Sequence, residues 1–171
     1  NAQFFIDFGE GTQQVQETYI AHELFQDTVN QPYNPGTIEW DIGLLQVPID
    51  SQDSPGYVEL EPQSFSVKEG DNAFNLGYPG GDPLSLVGCK VFSLTNPGFG
   101  QGFSSLNFPP RGGRSGSGVF HSISGTGEVH KRGKDIGIIT HRDDQRGAAI
   151  FTNLNQIYSF FSKHRITIEN K

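Results

Sequence analysis

The sequence predicts an all-β chain that ends in a single helix. Three observations carry this. Gly 22 and Pro 10 together approach a fifth of the 171 residues, a content that interrupts helices and supplies tight turns. The apolar residues fall in short runs separated by Gly, Pro, Asn and Asp. Only residues 155–164 space their apolar side chains at helical intervals. With 34% hydrophobic and 18% charged residues, the chain can bury a core, as one domain or as two small barrels sharing an interface.

The elements follow in order. Phe4 to Phe8 alternates apolar and polar residues and ends at Gly9-Glu10-Gly11, a strand and its turn. Gln14 to Phe25 reads as a second strand on Val15, Ile20, Leu24 and Phe25. Asp27 to Gly36 is a polar loop with Pro32 and Pro35. Trp40 to Val47 is a short apolar strand with Asp41 near its start. Pro48 to Pro62 is acidic and turn-rich, a linker between two units, which places the boundary between 1–62 and 63–171. Ser64 to Val67 and Asn72 to Gly77 read as strands around the turn Glu69-Gly70-Asp71. Tyr78 to Pro83 is a loop, and Leu84 to Leu94 a longer strand. Segments 97–102 and 112–118 are glycine-rich. Ile136 to Thr140 and Ala148 to Thr152 are strands. The helix places Ile157, Phe160, Phe161 and His164 on one face.

Charge is uneven. Up to Ser85 there are 14 acidic residues and one basic residue, Lys68; from Leu86 there are 5 acidic and 11 basic. Such asymmetry fits two structural units. The basic residues are scattered, with no stripe and no interleaved aromatics, so a nucleic-acid surface is not expected. No run approaches the ~20 apolar residues of a membrane span, and no signal peptide is recognisable. The single cysteine, Cys89, excludes an internal disulfide and reads as a small core residue. No Cys/His cluster has metal-ligand spacing, and Gly98 to Gly102 lacks the lysine of a phosphate loop. No cofactor is expected.

Gly113-Arg114-Ser115-Gly116-Ser117-Gly118 is the most informative segment. Glycines around a serine let the backbone turn sharply and leave the hydroxyl open. The same turn can aim the amides of Gly113 and Ser115 at one point, where a developing oxyanion gains on the order of 3 kcal/mol per donor. Taken alone, the segment reads more readily as a glycine-serine surface loop than as a catalytic turn, because Gly/Ser loops are common. Asp41 adds weight, because a carboxylate beside an apolar strand needs a partner, and an imidazole N–H is one. Asn75 to Gly80 runs a strand into a tight loop, and Gly147 to Thr152 leads into the helix.

In this order the segments resemble the chymotrypsin-like serine proteases, most closely the bacterial V8-type glutamyl endopeptidases and the exfoliative toxins. Trp40-Asp41-Ile42-Gly43-Leu44-Leu45 resembles the family's D-I-A-L-L motif, Leu76-Gly77-Tyr78-Pro79-Gly80 its G-Y-P-G segment, and Gly113 to Phe120 its serine motif. Phe5 to Glu10 resembles the first-barrel strand that follows the family's histidine, and Ile136 to Ile139 the strand lining the substrate. The resemblance covers Phe4 to about Arg165. It implies two antiparallel six-stranded barrels with a C-terminal helix, secretion, Ser115 as nucleophile, Asp41 as the triad aspartate, and Gly113 and Ser115 as oxyanion donors. It implies a peptide or protein substrate held by Pro110, Ile139, Thr140, His141, Arg142 and Gly147.

The family's histidine precedes its aspartate. Only His22 does so here, 19 positions ahead of Asp41, and its surroundings match a later strand. His121, His130, His141 and His164 all follow the serine. The expectation is that the chain begins after the base, leaving the first barrel incomplete, and that a proteolytically separated N-terminal fragment carries the histidine. A protease-like binding protein that has lost its base is the alternative. In the pocket, the position six residues before Ser115 is Pro109 rather than an acid, which argues against cleavage after Lys or Arg. Arg111, Arg142 and Arg146 favour an acidic side chain. Arg114, ahead of the nucleophile, departs from the family pattern.

Overall fold

The computed structural model describes residues 3–7, 18–27, 41–48, 58–96, 99–109, 111–122 and 133–168, the first two segments as backbone with the side chain of Glu23 alone. Strands β1 (Gln3–Asp7), β2 (Thr18–Asp27) and β3 (Ile42–Gln46) form a three-stranded antiparallel sheet in that order. Strands β4 (Asn72–Gly77), β5 (Ser85–Ser93), β6 (Phe103–Leu106), β7 (Gly118–His121), β8 (Asp135–Asp143) and β9 (Ala148–Asn153) close a barrel in the order β4-β5-β6-β9-β8-β7. Helix α1 (Leu154–His164) follows directly. One closed six-stranded barrel is therefore present; among the described residues the N-terminal strands make an open sheet and not a second barrel.

The barrel follows from alternation. Ala73, Asn75 and Gly77 of β4 point inward and are buried, while their neighbours are half-buried. Val91, Leu106, Val119, Ile136, Ile139, Ala149 and Phe151 fill the interior. In β9 five consecutive residues, Ala148 to Thr152, are buried. Both faces of this strand are covered: Phe151 enters the barrel, while Ile150 packs on Phe99 and Phe103 outside it. Cys89 packs against the barrel core, and burial pushes its thiol up to about 12, which keeps it protonated.

Three of the sequence expectations are corrected. Residues 64–67 form no ladder: a turn precedes an extended stretch whose Phe65 packs on the barrel core. Strands β6 and β7 were not expected; β6 is fully buried despite Ser104 and Ser105, because Ser104 Oγ donates to the Leu94 carbonyl at 2.9 Å. Strand β8 also runs three residues past the expected end at Thr140. The proposed linker lies mostly outside the described residues.

A third cluster joins the two sheets. Ile42 of β3 is buried against Ile157 and Phe160 of α1, with Leu44, Leu60, Ile138 and Phe161 around them. The helix is capped by Asn153, whose side chain accepts from the Gln156 amide at 3.1 Å. It ends at Arg165 in the left-handed conformation, φ 55°. Thr152 Oγ1 donates to the Asp41 carbonyl at 3.0 Å, which fixes the start of β3 over β9.

Residues 59–61 lie parallel to β8: the Asp135 amide donates to Glu59 O at 2.8 Å and the Glu61 amide to Asp135 O at 2.9 Å. The Asp135 carboxyl accepts from the Gly137 amide at 2.8 Å, yet burial pushes it up to about 7. Its folded pKa thus lies above the unfolded value near 3.8. Between these values the folded state holds a proton that the unfolded chain releases, so stability falls as pH rises toward and through 7. Asp135→Asn keeps the acceptor and removes the charge. Urea titrations should show the parent losing on the order of 2–3 kcal/mol relative to this variant between about pH 5 and pH 8. Parallel pH profiles for the two proteins would count against a buried, proton-holding Asp135.

Candidate active site

Ser115 stands on the loop between β6 and β7. Gly113 and Gly116 flank it with φ +90° and +86°, in the left-handed region that a side chain rarely adopts. At Gly113 no side chain fits: a Cβ would lie 2.7 Å from the Tyr78 carbonyl oxygen and 2.8 Å from the Gly80 nitrogen. The Tyr78-Pro79-Gly80 loop therefore buttresses the segment before the serine, and the Gly80 amide donates to Gly112 O at 2.6 Å. Two bonds tie the other side to β8: Gly116 N to Ile139 O at 2.8 Å and Ile139 N to Ser117 O at 2.9 Å. Among the described residues the amides of Gly113 and Ser115 make no hydrogen bond, which leaves them available to an incoming oxygen.

A buried polar network underlies the turn. Arg114 points inward and is 4% exposed. Its Nη1 donates to Asn75 Oδ1 at 2.6 Å, and Nη2 donates to Ser85 Oγ. Asn75, fully buried, donates in turn to Ser117 Oγ and to Gly118 O, both at 2.8 Å. Ser117 donates from its hydroxyl to Arg114 O at 2.5 Å and from its amide to the same oxygen at 3.0 Å. The loop is thus pinned from β4, with satisfied partners throughout.

Strand β8 carries an irregularity that shapes the cleft. Ile139 pairs with Phe151 and His141 with Ile150, so Thr140 is an extra residue. Its carbonyl accepts from Ser115 Oγ at 3.2 Å. The next residue, His141, sets Nδ1 3.7 Å from Asp41 Oδ2. Its ring packs on Phe99 at 5.1 Å and on Phe103 at 6.3 Å between centroids. Burial lowers the His141 pKa, and the Asp41 carboxylate opposes that shift.

A cleft of about 360 Å³ opens between Ser115 and this strand, lined by Ile139, Thr140, His141, Arg142 and Arg111 among others. Of the residues expected to hold substrate, Ile139, Thr140, His141 and Arg142 line it. Gly147 does not; it turns β8 into β9 with φ +62°. Pro110 lies outside the described residues. Arg142 pairs with Asp144 at 3.1 Å and Arg111 with Asp82 at 3.7 Å, all four exposed, so the cationic rim is partly neutralised.

A family model for the trypsin-like peptidase domain matches residues 3–129. The chain belongs to this family. No curated protein matches the sequence. The fold of this trypsin-like peptidase is similar to the crystal structure of Rv3671c from M. tuberculosis H37Rv, a serine-to-alanine mutant in an inactive form. The TM-score is 0.56 at 14% identity, over 91% of this chain and 69% of that one.

Within the peptidase, register places His22 away from Asp41. His22 pairs with Gln46 at the far end of β3, while Asp27 pairs with Ile42, the residue after Asp41. At ~3.3 Å per residue the His22 backbone is roughly 15 Å from Asp41 along the strand, beyond an imidazole's reach. The contact that sequence reasoning missed is His141 with Asp41. The order of residues along the chain argued against it, and no local pattern announces a pair formed between β3 and β8.

Proposed function

We propose that this peptidase is a serine endopeptidase of the V8-type branch, acting through an acyl-enzyme on Ser115. One observation carries the reading. Consecutive residues of β8 touch both expected partners: Thr140 accepts from the Ser115 hydroxyl and His141 meets the Asp41 carboxylate. Nucleophile and carboxylate thus contact adjacent residues of one strand although the sequence separates them widely. In the reaction Ser115 Oγ attacks the peptide carbonyl while a histidine takes its proton. The amides of Gly113 and Ser115 receive the oxyanion. The histidine returns the proton to the leaving amine, and water then cleaves the ester. The V8-type assignment rests on the resemblance of Leu76-Gly77-Tyr78-Pro79-Gly80 to that branch's G-Y-P-G segment. Arg111 and Arg142 favour an acidic side chain before the cut bond, since a substrate carboxylate can replace Asp82 or Asp144 as partner.

The base in this reading is a histidine carried N-terminal to Asn1, on a companion fragment if the chain has been cut there. The His141–Asp41 contact supports a second reading, in which His141 is itself the base. Its lowered pKa leaves the imidazole neutral, and able to accept a proton, at pH 7. A fluorophosphonate probe separates the readings. Ser115 should be labelled in the parent protein, and no label should form in Ser115→Ala. Labelling that survives His141→Gln at the parent rate assigns the base to another histidine; labelling lost in that variant assigns it to His141. Mass spectrometry of the denatured protein checks the first case by the presence of a second fragment. A parent protein that takes no label with its full complement of chains would be a protease-like binding protein.

A further inference from the structure

Arg114 has no role in the reaction just described, yet it is the most deeply buried arginine among the described residues, at 4% exposure. Its partners are Asn75 Oδ1, Ser85 Oγ and the Ser85 carbonyl at 3.4 Å, all neutral oxygens. Among the described residues no carboxylate lies within 4 Å of its guanidinium. Withdrawing a guanidinium from water without a counter-charge is costly. A fixed cation withdrawn from solvent also binds an anion more strongly than one in water.

A second cavity, about 440 Å³, opens on this face of the nucleophile loop. Ser85 and Arg114 form one wall; Pro79, Val87 and Phe108 supply apolar surface. Arg111 and Asp82 stand at its exposed edge, 3.7 Å apart. The cavity therefore presents two guanidinium groups and one carboxylate, and the carboxylate is paired with the outer guanidinium. The charge left over is the buried one.

We propose that this cavity binds a carboxylate group against Arg114, and that its occupation holds the Ser115 loop in working geometry. A planar carboxylate matches a guanidinium fork better than a point cation would. The bound charge would reach Ser115 through bonds already described: Arg114 holds Asn75, Asn75 holds Ser117 and Gly118, and Ser117 closes on Arg114 O. The binding site stands on its own; the effect on the loop rests on the proposed role of Ser115.

The test uses Ser115→Ala protein for binding and the parent for labelling, so that the two claims fail separately. The probes are acetate, a short peptide with a free C-terminal carboxylate, and the same peptide amidated, each against chloride at equal ionic strength. Calorimetric titration of Ser115→Ala should show binding of acetate or of the free peptide and none of the amide. Tighter binding of the free peptide than of acetate identifies a chain end as the source of the carboxylate; equal binding identifies a free small anion. Adding Arg114→Gln should abolish binding, and adding Arg114→Lys should weaken it at least tenfold. Adding Arg111→Gln, at the exposed edge, should weaken it less and serves as the folded control. In the parent, a saturating carboxylate should raise the fluorophosphonate labelling rate several-fold. No binding by any probe, or binding unchanged in a folded Arg114→Gln protein, overturns the site. Binding with an unchanged labelling rate in a protein that does label overturns the coupling.

Discussion

Ser115→Ala should abolish peptide hydrolysis while leaving the fold intact. Among the described residues the Ser115 hydroxyl makes one bond, to the exposed side of β8 at Thr140 O, and the side chain itself is exposed. Its removal should change stability by no more than about 0.5 kcal/mol, the usual range for a surface position. Turnover of a peptide library should fall on the order of 10⁶-fold, or about 8 kcal/mol of barrier. Residual hydrolysis above water should come from the two amides and from binding alone. Stability and rate are thus expected to part company, which is the mark of a group that meets the reacting atoms. A variant retaining hydrolysis within tenfold of the parent would remove Ser115 from the nucleophile's role.

The sequence shows the barrel most clearly where one physical signal dominates. Strands β4, β5, β8 and β9 alternate or run apolar between turn residues, and α1 repeats its apolar side chains at helical spacing. Strand β6 hides because two of its four residues are serines whose burial depends on partners elsewhere in the fold. Strand β7 hides because Gly118 belongs to the serine motif and reads as loop. Ser115, Gly113 and Asp41 stand out in the sequence as candidates because they leave local marks: glycines around a serine, two of which adopt φ near +90°, and an acid beside an apolar strand. The companion of Asp41 is not legible. His141 reaches it only because Ile42 docks on α1 while Thr140 is squeezed out of the β8–β9 ladder, and neither event has a local signature. Arg114 fails to read for the same reason, since its inward direction is decided by Asn75 and Ser85, on two other strands.

Asp41→Asn should lower turnover about 10⁴-fold, the loss expected when the group orienting a catalytic histidine becomes neutral and offers the wrong hydrogen-bonding pattern. That is about 5 kcal/mol of barrier. The substitution is nearly isosteric. The position is held through the backbone, by Thr152 Oγ1 on the Asp41 carbonyl and by Ile42 against Ile157 and Phe160, so the packing has no reason to change. The charge also acts on His141. Burial lowers that pKa and Asp41 opposes the shift, so removing the carboxylate should let it fall further. An NMR titration of His141 should therefore move to lower pH in the variant. If His141 is the base, the acidic limb of the pH–rate profile should move with it. If the base is a histidine from an N-terminal fragment, the NMR midpoint should still move, but the rate profile should follow the other imidazole. Either way the rate loss is large, because both arrangements use the same carboxylate to hold a cationic imidazole in the transition state. Turnover within tenfold of the parent would leave Asp41 with only the structural duty of starting β3.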